Sequence, residues 1–66
     1  MKKYIGETIE LFPGDIQEKI GIVRDVFDDG IEIVITRLSD VPYKSHLKIG
    51  DIVYYPLSKL IFKLKK

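Results

Sequence analysis

Apolar and polar positions alternate with a period of two through most of the chain, which is the pattern of half-buried strands rather than helices. Over residues 5–11, Ile5, Ile9 and Leu11 share one parity while Thr8 and Glu10 take the other, and Glu7 interrupts the apolar side, so the strand begins near Thr8. Phe12-Pro13-Gly14-Asp15 reads as a turn, with proline fixing φ and glycine tolerating a positive one. Asp15 to Glu18 is polar except for Ile16, a loop or a single helical turn and a candidate contact loop. Residues 19–27 form a second strand of conflicting parity, with Ile20 and Ile22 on one side and Val23 and Phe27 on the other. Gly21 lies where the conflict begins and predicts a bend or bulge there. Asp28-Asp29-Gly30 is a hairpin turn. Residues 31–38 give the clearest strand, Ile31, Ile33 and Ile35 opposite Glu32, Val34 and Thr36, and β-branched residues dominate it. Residues 39–49 are irregular and contain Pro42. Gly50-Asp51 is a turn and residues 52–55 a fourth strand. Pro56 has no ladder donor, so Pro56-Leu57-Ser58 predicts a short 3₁₀ turn. Residues 59–64 form the fifth strand, with Leu60, Phe62 and Leu64 inward and Lys59, Ile61 and Lys63 outward.

The chain has 66 residues, so these strands belong to one domain, residues 1–66. Ordering so short a chain costs about 1.5 kcal/mol per residue, close to what its core can return, and an unusually apolar barrel or self-association is the remedy when no disulfide or metal contributes. There is no cysteine, which excludes a disulfide scaffold and thiolate chemistry, and His46 is the only histidine, which excludes most zinc sites. No apolar run approaches a membrane span, so no membrane partner is expected and the protein is read as cytoplasmic. The balance of 11 basic and 10 acidic residues is not that of a dedicated polyanion binder. The halves differ, however. Residues 1–33 hold four bases against eight acids, net −4, and residues 34–66 seven bases against two acids, net +5. That asymmetry fits a phosphate-tracking stripe, head-to-tail steering between copies, or a lysine-rich tail that guards an edge strand.

Five short strands with tight turns make an all-β small barrel, and a tight turn before the last strand is how SH3-like and Sm-like barrels close. The segments Thr8-Ile9-Glu10-Leu11, Gly14, Gly21 to Val26 and Asp28 to Ile33 resemble the first Sm motif, and Gly50 to Ile61 resembles the second, with residues 39–49 as the variable linker. The chain thus resembles the Sm-like (LSm/Hfq-type) barrels, and equally the short SH3-like barrels of Gram-positive bacteria and their phages. The resemblance implies a five-stranded SH3-like (Sm-like) barrel, a ring of six or seven copies joined by the fourth strand of one and the fifth of the next, and binding of single-stranded RNA. The RNA-contacting residues carry over badly. Where the host-factor branch has Tyr-Lys-His this chain has Tyr54-Tyr55-Pro56, and it contains no asparagine for the base contact of the other branch.

The candidate contacts for a ligand or nucleic acid are Tyr43, Lys44, His46, Tyr54, Tyr55, Lys59 and Lys63. Aromatic faces stack unpaired bases, and lysines neutralise phosphates. Tyr54 and Tyr55 are consecutive in a strand and point to opposite faces, so one must leave the core. Asp28 and Asp29 sit at a hairpin tip and point into water rather than converging across a cleft. Nothing supplies a nucleophile–base pair or a phosphate-cradling glycine loop, and the expectation is a non-catalytic, cofactor-free binding or assembly module. Its expected partners are further copies of itself together with single-stranded RNA, or alternatively a protein bound by an SH3-like regulatory adaptor.

Overall fold

The computed structural model describes residues 2–15, 17–38 and 47–65. The strands are β1 (Thr8–Leu11), β2 (Lys19–Val26), β3 (Gly30–Leu38), β4 (Ile52–Pro56) and β5 (Phe62–Leu64), with 3₁₀ turns at Lys2–Tyr4 and Leu57–Lys59. They form one antiparallel sheet in the order β4-β3-β2-β1-β5. The fold is all-β, as the alternation predicts, and like a small barrel, but the sheet is not closed. β5 has three residues and pairs with β1, β4 pairs with β3, and the 3₁₀ turn Leu57–Lys59 carries the chain between these two edges.

The inner face collects Ile9, Leu11, Val23, Val26, Ile31, Ile33 and Ile35, all buried. Tyr55, Leu57, Leu60 and Phe62 pack against them from the segment that turns back across the sheet. The Tyr4 ring meets Phe62 edge-on at 6.0 Å, which seats the N-terminal 3₁₀ turn against the last strand. Pro56 stands at the end of β4 opposite Gly30, a place on an edge strand where a missing N–H breaks no internal ladder.

Three expectations are corrected. β5 is shorter than residues 59–64, because Leu60 and Ile61 still belong to the return from the 3₁₀ turn, and Leu64, opposite the buried Ile9 on the inner face, is 39% exposed at the sheet's edge. Phe27 does not share Val23's side; it lies 44% exposed beyond the end of β2. The bend at Gly21 exists, but it does not reconcile the two parities. There Thr36 is an extra residue on β3, between the pairs Ile20↔Arg37 and Gly21↔Ile35. The parity changes three residues later, where Arg24 is an extra residue on β2 between Val23↔Ile33 and Asp25↔Glu32. Ile20 and Ile22 consequently remain on the outer face while Val23 and Val26 both turn inward.

Gly21 is required by close approach. A methyl group on it would collide with the Ile33 side chain and come within 2.8 Å of the Val34 carbonyl oxygen. The Phe12–Asp15 turn closes by a 3.1 Å bond from the Asp15 N–H to the Phe12 carbonyl, and Gly14 supplies the positive φ of 81° at its third position.

Candidate binding surface

Of the seven candidate contacts, Tyr43, Lys44 and His46 lie outside the described residues. Of the other four, Tyr54, Tyr55 and Lys63 are placed by alternation along β4 and β5 and Lys59 by the 3₁₀ turn between them, and they do not converge. Tyr55 points inward, half-buried, and meets Phe12 edge-on at 5.8 Å; burial pushes its phenol above the ordinary 10.0. Phe12 holds a positive φ of 49°, unusual for a bulky side chain, and it is clamped there by Tyr55 and by a 2.8 Å bond from its N–H to the Ile61 carbonyl. Tyr54 points outward at the β4 edge. Its ring lies over Gly30 and beside Phe27, with centroids 6.2 Å apart. Its hydroxyl donates to the Asp29 carboxylate, and this bond, then desolvation and the Asp29 charge, push its phenol above the ordinary 10.0. Lys59 is exposed on the second 3₁₀ turn, and Lys63 is on the outer face of β5 at the opposite edge of the sheet.

Charge is not segregated in space as it is in sequence. β5 pairs with β1, so the basic end of the chain lies on the acidic one. The Lys63 and Lys65 ammonium groups sit 3.4 and 3.6 Å from the two Glu10 carboxylate oxygens. On β2 and β3 the bulged Arg24 pairs with Glu32. The two Glu10 pairs bring charges of the two halves together within one chain, whereas Arg24 and Glu32 both belong to the first half. The Glu10 pairs also place lysines along an edge strand, where they oppose unwanted pairing.

The structure shows a surface that sequence alone left obscure. On the outer face the register aligns Thr8, Ile22, Val34 and Ile52 in one row across β1 to β4. Ile22 is 38% exposed and Ile52 52%. The signal was present in the Ile20/Ile22 parity and in Val34. It could be recognised only once the two register shifts were known, because those decide which apolar set faces inward.

Two open hollows flank the sheet. One of about 310 Å³ is lined by Lys3, Tyr4, Glu7 and Leu64, and one of about 260 Å³ by Lys2, Val26, Phe27, Asp28 and Leu57. Each brings one lysine and one carboxylate to an otherwise apolar wall, which can orient a small polar group but is not a nucleophile with its base. Among the described residues no group of three or more histidines, aspartates or glutamates could hold a metal ion, and no helix is long and apolar enough to cross a membrane. No known protein family, curated protein or solved structure matches the chain.

Proposed function

We propose that this chain is a non-catalytic binding and assembly module whose copies join edge to edge, β4 of one against β5 of the next, to present a composite surface to single-stranded RNA. The observation that carries this reading is the sheet order. β4 and β5 are the two edges, and among the described residues each pairs on one side alone. An unpaired edge is a ready template for another strand. The N–H groups of Phe12 and Lys65 donate to Ile61 and Thr8. The antiparallel alternation then turns the N–H groups of Phe62 and Leu64 away from β1, toward the open side.

Edge pairing also explains why the candidate contacts are scattered in one copy. Tyr54 and Lys63 lie on the same outer face at opposite edges, and a sheet continued from one copy into the next sets them on adjacent strands. A ring for stacking and a cation for phosphate would then share one surface.

Light scattering of the purified chain, with and without an oligo-U or oligo-A strand over a range of salt, tests the reading. The expected result is a mass several times 7.6 kDa and strand binding that falls steeply with salt. A 7.6 kDa species that ignores both strands overturns it. The exposed Phe27–Tyr54 pair, at 44% each, favours a second reading as a protein-interaction adaptor. That reading expects a protein recovered by pull-down and no salt-dependent RNA binding.

A further inference from the structure

The edges account for assembly in the plane of the sheet and leave its outer face uncovered. That face has the anatomy of a contact surface: an apolar centre inside a charged frame. Ile22, Val34 and Ile52 run across β2, β3 and β4 in register, with Ile20 beside them on β2. On one flank Glu10 is held by Lys63 and Lys65, and on the other Arg24 is paired with Glu32. Arg24 and Glu32 cancel, while two lysines against Glu10 leave the β5 flank positive. The apolar centre suits a second apolar surface, so face stacking and strand binding are alternative uses of one face.

We infer that the occupant is a second copy of this chain, stacked outer face to outer face about a twofold axis along the strands. The charge arrangement points to this occupant. A half-turn about that axis lays β2 of one copy over β3 of the other, which sets Ile22 against Val34 and Arg24 against Glu32, twice over. The contact is self-complementary, as a twofold interface must be, and two sheets stack at about 10 Å. The Arg24–Glu32 pair of each copy becomes half of a four-charge cluster of alternating sign. The area sets the strength. Four strands about 4.8 Å apart and three outward rows about 6.8 Å apart give a face of roughly 20 by 20 Å. That is below the roughly 800 Å² per copy of a standard interface, so the dimer is weak.

The test is a charge exchange between two variants, both in a Leu64→Pro background that removes one of the two open edge donors and so weakens β4–β5 pairing. Arg24→Glu alone presents acids to acids across the twofold axis, and Glu32→Arg alone presents bases to bases. Sedimentation equilibrium is expected to show the Leu64→Pro parent dimerising, each single-reversal variant doing so at least tenfold more weakly, and their equimolar mixture returning to twice 7.6 kDa. Circular dichroism confirms that every variant keeps its strands. If Leu64→Pro itself loses them, the same exchange is read in the unaltered background as preferential pairing of unlike variants by native mass spectrometry. A folded parent that stays monomeric at millimolar concentration overturns the inference, and so does a mixture no more associated than its components. Loss of ring-sized species in Leu64→Pro, by contrast, bears on the edge reading alone.

Discussion

Lys19 is the only charged side chain in the buried set of the described residues, at 8% exposure, and its behaviour follows from where its two ends lie. The aliphatic stem fills the end of the inner face opposite Leu11 and Leu38, while the ammonium lies 5.8 Å from the centre of the Phe12 ring. Burial pulls its pKa below the ordinary 10.5, and the Asp15 charge opposes that pull. The native chain therefore releases this proton at a lower pH than the unfolded chain does. Between the two values the unfolded state binds more protons, so this group makes stability rise with pH; the penalty is complete below the native pKa and gone above 10.5. Lys19→Met is expected to stabilise the fold by about 1 kcal/mol at pH 7, with the advantage shrinking toward pH 10 in urea titrations. Gly30 is a second residue-scale test. A methyl group there meets the Tyr54 ring and comes within 2.6 Å of the Tyr55 carbonyl oxygen. Gly30→Ala is expected to cost about 1–3 kcal/mol. In a Tyr54→Ala background the cost falls but does not vanish, since the backbone oxygen remains; a double-mutant cycle by chemical denaturation measures the difference.

At the scale of elements, β3 was legible from sequence as far as Ile35, short of the bulge at Thr36, and the reason is physical. Ile31, Ile33 and Ile35 lie on one face of a strand with neighbours on both sides, so burial follows alternation directly. The 3₁₀ turn after Pro56 was legible for a different reason: proline cannot donate to a ladder whatever the tertiary context. β2 was half legible. Its apolar residues occur on both faces, and the choice between Ile22 and Val23 for the core is made by pairing with β1 and β3, which no local pattern contains. The length of β5 was overread because Leu60 and Phe62 both face the core although only Phe62 is in a ladder. The candidate contacts on β4 were legible as a pair pointing opposite ways, but which tyrosine turned outward depended on register. The bulge at Thr36 has its own signature. Its hydroxyl donates to the Ile20 carbonyl at 3.2 Å, across the place where the ladder is broken. Thr36→Val keeps the branched shape and removes that bond; a loss of about 1 kcal/mol in thermal or urea unfolding is expected.

For the molecule as a whole, the open sheet sets the balance between folding and association. A closed barrel has no edges to offer, whereas this sheet keeps two, guarded by Lys63 on β5, Lys65 just beyond it and Pro56 on β4. Neither guard removes the donors of Phe62 and Leu64. Leu64→Pro takes one of them away at a residue that is 39% exposed, and the Lys63 and Lys65 donations toward β1 are untouched. Light scattering is expected to show smaller assemblies for this variant with a melting temperature within a few degrees of the parent, as for other surface changes of up to about 0.5 kcal/mol. An unchanged mass would mean that β5 is not a joining edge.

The two interruptions in the β2–β3 ladder have a joint consequence. One adds a residue to β3 at Thr36 and the other adds a residue to β2 at Arg24, so the offsets cancel and Lys19↔Leu38 and Val26↔Ile31 share the same count around the hairpin. Excising either residue alone leaves the arms one residue out of step and turns an entire run of side chains inside out. Excising both keeps the arms in step and straightens the ribbon between them. The curl that lets five strands wrap seven aliphatic side chains is therefore carried by a matched couple of surplus residues, and evolution can lose or gain them only together.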